Sequence, residues 1–289
     1  MTGVQTCALP IYRPAPFTNH VIEANGVRLN YLDYGAAGRT PMLCLHGGAA
    51  HAHWYDYVAP GFTTDHHVHA LDLRGHGDSA WAEQHTYAWK VYSDDIHALE
   101  EKLNLRDYVL IGHSMGGMVS LVHASSHPER IAALVVIDSV MLMPMERVTR
   151  MRAFGEKPPT TYATREELIA RYRLEGGEKQ LTAPDVLQRM ALYSSRQEPD
   201  GRWRHKADRK VYANFHQIAG LPMWDNIKVP ALVIRGGDHS PRFTPEAMAE
   251  IHARAPQVQL ATVTDSDHHI TLDNPHGFIE VVQKFLRTL

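Results

Sequence analysis

Short apolar runs alternate with longer amphipathic stretches along most of the chain. Two of these stretches, residues 93–103 and 115–125, have the spacing of helices, and Ser93 is expected to cap the first. Runs of the length and composition of buried strands lie at residues 42–45, 68–71, 108–111, 131–137, 231–234 and 258–263. This alternation predicts a mostly parallel sheet with helices on both faces. Functional residues are then expected at the carboxyl ends of the strands.

The start of the pattern predicts a hairpin. Residues 21–24 and 27–33 flank the dipeptide Asn25-Gly26, which favours a type I′ turn because both residues accept positive φ. We therefore expect two antiparallel strands before the parallel part of the sheet.

Between residues 140 and 220 the alternation stops. Helical stretches at 165–174 and 184–193 are separated by segments rich in glycine and proline. The organisation expected is a core of residues 18–139 and 221–289 with a helical cap, residues 140–220, inserted after the sixth predicted strand. Five methionines are expected either to line a pocket under this cap or to pack the cap onto the core: Met141, Met143, Met145, Met151 and Met190.

Residues 1–17 are expected to be a disordered, non-native tail. The first eleven residues resemble translated sequencing-adaptor peptide and lack the basic start and longer apolar run of a signal peptide. If so, the native N-terminus and any export signal are missing. Cytoplasmic localisation is then only the default expectation.

Composition narrows the classes of partner. The chain has 289 residues and a formal net charge of -3, with no basic block, which argues against a nucleic-acid or anionic membrane partner. No apolar stretch approaches the length of a transmembrane helix. Cys7 and Cys44 imply no disulfide framework.

The sequence Gly-His-Ser-Met-Gly at residues 112–116 carries the strongest chemical signal. It follows the apolar run 108–111, so glycines on both sides allow a sharp turn that presents the Ser114 hydroxyl at the start of a helix. A serine hydroxyl becomes a useful nucleophile only when a base accepts its proton and an acid orients that base. The chain must therefore supply a histidine and a carboxylate.

Together with other segments, this motif resembles the α/β-hydrolase superfamily from about residue 18 to the C-terminus. His46, Gly47 and Gly48 match the oxyanion loop of the family, and Trp54 lies where an aromatic residue often follows. Residues 72–79, Asp-Leu-Arg-Gly-His-Gly-Asp-Ser, match its next loop, and residues 268–275 match the run from the histidine to an acidic residue and proline. The expected fold is thus an α/β-hydrolase fold with a mostly parallel central sheet and a helical cap insertion.

The resemblance assigns the remaining catalytic roles. In the family the acid and then the histidine follow the serine, each after a later strand, which gives Asp238 as acid and His268 as base. Asp138 is the rival acid, because some relatives place the acid after the preceding strand. The spacing to the proline favours His268 over His269. The acids Asp265 and Asp267 are interpreted as solvated loop residues, His269 as an exposed or supporting residue, and His46 and Arg74 as braces for loops.

An oxyanion needs two N–H donors fixed near 3 Å from it. The backbone amides of Gly48 and Met115 are the candidates, since they follow the glycine loop and the serine.

Neither a metal nor a cofactor is expected. The segment containing His51, His53 and Asp56 superficially resembles a His-x-His-x-Asp-His metal motif, but Tyr55 stands where an aspartate is needed. A second cluster, His66, His67 and His69, likewise lacks the full spacing.

The function expected is a cofactor-free serine hydrolase that cleaves carboxylic esters or lactones of small to medium apolar acids. Its partner would be a small-molecule substrate. The alternatives are a carbon–carbon bond hydrolase, which typically has asparagine where His113 stands, and, as smaller possibilities, a perhydrolase, a hydroxynitrile lyase or a ligand-binding receptor.

Overall fold

A computed structural model describes residues 13–84, 86–139, 141, 143–177, 180–237 and 244–289. The strands are β1 Thr18–Ala24, β2 Val27–Asp33, β3 Thr40–Leu45, β4 His66–Asp72, β5 Tyr108–His113, β6 Ile131–Ile137, β7 Ser195–Gln197, β8 Trp203–His205, β9 Ala231–Gly236 and β10 Gln259–Val263. The α-helices are α1 Trp89–Leu103, α2 Met115–Ser126, α3 Met145–Gly155, α4 Arg165–Arg171, α5 Pro184–Ser194, α6 Lys210–Ala213, α7 Pro245–Arg254, α8 Ile270–Asp273 and α9 Pro275–Leu286.

The described strands form one eight-stranded sheet and a small hairpin. The large sheet has the order β1-β2-β4-β3-β5-β6-β9-β10, and β7 pairs with β8. Only the β1–β2 and β2–β4 pairings in the large sheet are antiparallel, whereas the others are parallel. The expected mostly parallel α/β architecture is confirmed.

The predicted hairpin is present. Ala24 pairs with Val27, and the turn residues Asn25 and Gly26 have φ of 48° and 68°. Positive φ at both central residues is the requirement of a type I′ turn.

The core lies on both faces of the large sheet. On β3, Leu43 and Leu45 belong to one buried layer, and Met42 and Cys44 belong to the other. This two-residue period follows from the alternation of side chains along a strand. Because both faces are covered, the central strands read as continuous apolar runs.

One local prediction was wrong. Helix α1 begins at Trp89, so Ser93 does not cap it but lies inside it, buried, with its hydroxyl 3.0 Å from His123 Nδ1. The turn around Trp54 is a short 3-10 helix, Ala52–Tyr55. The partner of the Ser93 hydroxyl lies on α2, 30 residues away in the sequence, so no local pattern could predict this contact.

The segment between β6 and β9 carries α3 to α6 and the β7–β8 hairpin. Helix α3 packs closely on α6, since a Cβ placed at Gly155 would lie 2.1 Å from Ala213 N. Helices α4 and α5 agree with the sequence expectation, whereas α3 and the hairpin were not expected. We call this segment the insertion.

Candidate active site

Ser114 occupies a strained turn between β5 and α2. Its φ and ψ are 52° and -112°, a region that non-glycine residues rarely adopt. The flanking chain comes so close that a Cβ at Gly112 would lie 2.3 Å from Gly116 O, and one at Gly116 would lie 2.4 Å from Leu45 O. The two glycines are therefore required by backbone packing, and the strain holds the hydroxyl at the carboxyl edge of the sheet.

His268 links this hydroxyl to a buried carboxylate. Its Nε2 lies 3.1 Å from Ser114 Oγ, and its Nδ1 lies 2.6 Å from Asp138 Oδ2. Asp138 follows the last residue of β6 and is fully buried. The arrangement can accept the serine proton at Nε2 while the carboxylate holds the imidazole orientation.

Asp238, expected as the acid, lies outside the described residues. The carboxylate that the structure brings to His268 Nδ1 is that of Asp138, the rival of the sequence analysis. The end of β9 nevertheless packs tightly on the histidine loop, since a Cβ at Gly236 would lie 2.1 Å from Asp267 O.

Two neighbours of His268 are buried and hydrogen-bonded, although the sequence analysis interpreted one as solvated and the other as exposed or supporting. Asp267 is buried rather than solvated, and its Oδ1 accepts a hydrogen bond of 2.7 Å from His268 N. His269 is also buried, and its Nε2 lies 3.1 Å from Glu175 O in the insertion. Both residues position the loop that carries the imidazole. Asp265 is exposed, as expected.

The loop after β3 carries the expected Gly48 amide. In the described part of the chain, neither Gly48 N nor Met115 N donates to a protein acceptor. Leu73 N donates to His46 Nε2 at 3.1 Å, so His46 Nδ1 carries the proton and donates to Gly47 O at 2.7 Å. Burial lowers the pKa of His46 well below its ordinary value, which keeps this ring neutral. His46 thus fixes the glycine loop.

Asp72 and Arg74 hold the neighbouring loops. The Asp72 carboxylate accepts hydrogen bonds from Ala52 N at 2.7 Å and from Asp78 N at 2.8 Å. Arg74 forms a buried ion pair with Asp95. Asp72 therefore ties the segment after the glycine loop to the loop after β4, and Arg74 ties that second loop to α1.

A cavity of about 170 Å³ opens over Ser114 and His268. The insertion supplies much of its wall, including Met143, Met151 and Phe215, while Trp54 and Met118 come from the core. The five methionines of the sequence analysis therefore differ in role. Met143 and Met151 line the cavity, whereas Met141 and Met190 are buried in the interior and Met145 is exposed.

His113 lies beside His268, with the two ring centroids 4.7 Å apart. Its Nε2 donates to His268 O at 2.7 Å, and its ring stacks on Trp54 with centroids 5.6 Å apart. Burial, together with the nearby His268, lowers the pKa of His113 well below its ordinary value. A neutral His113 thus supports the backbone of the residue that contacts Ser114.

Of the histidines considered for metal binding, His51 and His53 contact other protein groups, and His67 and His69 lie next to Asp33. His51 Nε2 lies 3.0 Å from Met190 O, and His53 Nδ1 lies 3.2 Å from Asp56. Within the described residues, one group with metal-ligand geometry is Asp33, His67 and His69, in which His67 Nε2 lies 2.9 Å from the Asp33 carboxylate. This contact is a hydrogen-bonded pair across β2 and β4.

Helices long and apolar enough to span a bilayer are absent from the part of the chain that the structure describes.

Comparisons with known proteins agree with this architecture. A family model of the alpha/beta hydrolase fold matches residues 40–275. Esterase Rv0045c of Mycobacterium tuberculosis is 30% identical over 271 residues, covering 88% of this chain and 84% of the esterase. N-formylmaleamate deformylase of Pseudomonas putida is 26% identical over 92% of this chain and 95% of its own length.

A solved structure extends the agreement to three dimensions. E-2-(acetamidomethylene)succinate hydrolase superposes with a TM-score of 0.83 at 21% identity, over 94% of this chain and 100% of that chain. The sn-1-specific diacylglycerol lipase ABHD11 of Mus musculus is also similar, with 27% identity over 89% of this chain and 84% of the lipase. The chain therefore belongs to the α/β-hydrolase family.

Proposed function

We propose that this protein is a serine hydrolase that cleaves carboxylic esters or lactones of small to medium apolar acids through an acyl-enzyme. The observation that carries the proposal is the hydrogen-bonded chain from Ser114 through His268 to Asp138, opening on an apolar cavity. Family membership supports hydrolysis, and the esterase relative supports an ester substrate.

In acylation, His268 Nε2 takes the proton of Ser114 as Oγ attacks the substrate carbonyl carbon. The amides of Gly48 and Met115 stabilise the oxyanion, each donor contributing about 3 kcal/mol to lowering the barrier. The protonated His268, held by Asp138, then gives its proton to the leaving alcohol as the carbon–oxygen bond breaks. Asp138 keeps the imidazole in the productive tautomer throughout.

In deacylation, a water molecule gives its proton to His268 Nε2 and attacks the acyl carbonyl. Collapse of the second oxyanion releases the acid and returns the proton to Ser114 Oγ. Both half-reactions need a neutral imidazole, so we expect kcat/KM to fall on the acid side as His268 protonates. A rate that stays flat down to pH 4.5 would contradict the role of His268.

The cavity supports an acid of limited size. Its volume is about 170 Å³. The side chains near the reacting centre are mainly apolar, with Met115, Met118 and Val211 among them. An apolar stretch next to the scissile carbonyl fits this lining.

The test is hydrolysis of p-nitrophenyl esters from acetate to decanoate by the parent protein and by Ser114→Ala. We expect turnover with a chain-length optimum in the parent and a loss of about 10⁴-fold or more in the variant. Ser125→Ala is the matched control, because Ser125 lies on α2 and, among the described residues, its hydroxyl bonds only to Val122 O in its own helix. Ester turnover that survives in Ser114→Ala, or no ester turnover by the parent, would overturn the proposal.

A second candidate is hydrolysis of an N-acyl bond. It is favoured by the similarity to N-formylmaleamate deformylase, which extends over nearly the whole of both chains. The same serine and oxyanion donors would act on an amide carbonyl, but the leaving nitrogen needs protonation by His268 before it departs. Comparing an ester with the amide of the same acid separates the two candidates.

A further inference from the structure

Arg147 brings a positive charge into the mainly apolar cavity over Ser114. It lies on α3 of the insertion, one turn before Met151, and both side chains line the cavity. The same two residues, with Glu175 and Tyr212, also line an outer, more open cavity that touches neither Ser114 nor His268. Arg147 therefore stands where the catalytic cavity meets the outer one, away from the reacting hydroxyl.

The guanidinium of Arg147 has no partner among the described residues, whereas the other arginines of its helix do. Arg150 pairs with Glu146 at 3.7 Å, and Arg152 Nε donates to Phe215 O at 2.9 Å. Glu175 lines both cavities with Arg147, but its described contact is through its backbone oxygen, with His269. Arg147 thus keeps five N–H donors available to a ligand.

The surroundings of this charge are unfavourable in the absence of an anion. Arg147 is half-buried, and both burial and the nearby Arg150 lower its pKa. An arginine side chain stays protonated in proteins, so the cost is not relieved by losing the proton. A bound anion would relieve it by pairing with the guanidinium.

We propose that Arg147 binds a carboxylate of the substrate, at the end of the acyl chain remote from the scissile bond. The substrate would then be an ester of a dicarboxylic acid: its reacting carbonyl sits at Ser114, an apolar stretch lies along Met115 and Met151, and its free carboxylate pairs with Arg147. The inference rests on the proposed function and narrows its substrates to acids that carry a free carboxylate at the far end of an apolar chain.

Other polar atoms at the cavity wall are also unsatisfied. Trp54 Nε1 is buried without a hydrogen-bond partner in the described structure, as is Gln217 Oε1, and both residues line the cavity. A substrate with polar groups beyond its ester fits this wall better than a plain alkyl chain does, because buried donors and acceptors favour ligands that pair with them.

The experiment compares matched pairs of p-nitrophenyl esters: the adipate monoester with hexanoate, and the suberate monoester with octanoate. Each pair has the same chain length and differs in the terminal carboxylate. We expect the parent to favour the charged ester in kcat/KM by about tenfold to a hundredfold for the better-fitting pair, the range for hydrogen bonds to a charged group. The preference should shrink as salt is raised.

Arg147→Met should abolish the preference, and Arg147→Lys should keep part of it because the charge remains while the planar fork is lost. Arg171→Met is the matched control: it removes an exposed arginine of α4 that pairs with Glu167 and lines neither cavity. Its ratio of charged to neutral rates should equal that of the parent. The ratio is insensitive to the amount of folded enzyme, so partial unfolding of a variant cannot imitate the result.

The inference is overturned if the parent prefers the neutral ester in both pairs, or if Arg147→Met keeps the parent ratio. Either result leaves a Ser114-dependent esterase intact. Hydrolysis that persists in Ser114→Ala would instead overturn the proposed function, so the two failures are distinguishable.

Discussion

Two regions form the candidate site, and they are built in different ways. One is the carboxyl edge of the sheet, with Ser114, His268 and Asp138, which we call the sheet edge. The other is the insertion that covers it. At the sheet edge the site side chains are buried or nearly buried, and closely packed backbone positions them, since a Cβ at Gly112 would lie 2.3 Å from Gly116 O. In the insertion, the lining residues Met143, Arg147 and Met151 are half-buried side chains with several rotatable bonds.

This difference assigns the two regions different roles: the sheet edge would hold the reacting groups, and the insertion would set which substrates fit. A Cβ at Gly112 or Gly116 would overlap the neighbouring backbone, so neither position admits a side chain without movement of the chain. Flexible side chains on one helix face can change one at a time and alter the shape or charge of the cavity while the hydrogen-bonded chain at Ser114 stays in place. We therefore expect changes at the sheet edge to abolish activity and changes in the insertion to redirect it.

The largest effect should come from the carboxylate behind His268. Asp138→Asn preserves shape but donates the wrong hydrogen bond to Nδ1, so kcat should fall by about 10⁴-fold. Asp238→Asn, the acid expected from the sequence, is the matched comparison and should leave kcat within about tenfold. The two variants are compared by steady-state kinetics on the best ester. The reverse result would assign the acid to Asp238.

A glycine at the sheet edge should cost more to replace than a glycine in the insertion. Gly112→Ala places a methyl group 2.3 Å from Gly116 O and from Ser120 Oγ, so we expect a loss of about 3 kcal/mol in the free energy of unfolding. Gly201→Ala meets no atom within 4 Å but must keep a φ of +83°, and should cost about 1 kcal/mol. Urea unfolding measures the free energy of unfolding of both variants. Equal losses would contradict the claim that the sheet edge is packed more tightly than the insertion.

Acid should destabilise the fold through neutral histidines packed in the core. Burial lowers the pKa of His76 from 6.5 to about 4, and it lowers that of His46, His51 and His113 well below the ordinary value. Between about pH 6.5 and 4 the unfolded chain binds protons that the native rings do not, so stability falls as pH falls. His76 alone should contribute about 3 kcal/mol of this loss.

The measurement is urea unfolding at pH 7.5, 5.5 and 4.5. His76→Asn should flatten the pH dependence relative to the parent, whereas His276→Asn, at an exposed position on α9, should leave it unchanged. A free energy of unfolding that is constant between pH 7.5 and 4.5 in the parent would show that these rings titrate normally.

The smallest effect should come from the cavity wall in the insertion. Met151→Ala opens space beside Arg147, so the chain-length optimum for neutral esters should move to longer acids, with kcat/KM changing by about tenfold at most. The control is Met145→Ala, since Met145 is exposed at the start of the same helix. A loss of activity on every ester would mean that Met151 supports the catalytic residues rather than the cavity shape.

Much of the fold could be predicted from local patterns. The apolar runs gave nearly every core strand, and the Asn25-Gly26 dipeptide gave the hairpin, because strand burial and turn chemistry are both local properties. Helix α3 was not predicted, since it has one fully buried apolar side chain, Val148, and a weak apolar face. The insertion packs by contacts between distant segments, such as Gly155 with Ala213, which leave no periodic signal.

The candidate site was predicted in part for the same reason. Ser114 and His268 lie in motifs whose residues are adjacent in sequence, so their pattern is readable and the structure brings the two side chains together. The acid belongs to no such motif, and both Asp138 and Asp238 follow a strand of the parallel sheet. The burial of Asp267 and His269 was not predicted. It depends on Asp273, Gly236 and Glu175, which reach the loop only in the folded chain.

The sequence by itself determined the α/β order, the strained serine turn and the histidine loop, because each depends on residues within a few positions of one another. Tertiary structure decided which described carboxylate meets His268 Nδ1, and that Arg147 faces the same cavity as Ser114. The physical reason is that these partners are joined through space by parallel strands and by an inserted helix. Hydrogen bonds and charge pairing act over a few ångströms, whatever the separation along the chain.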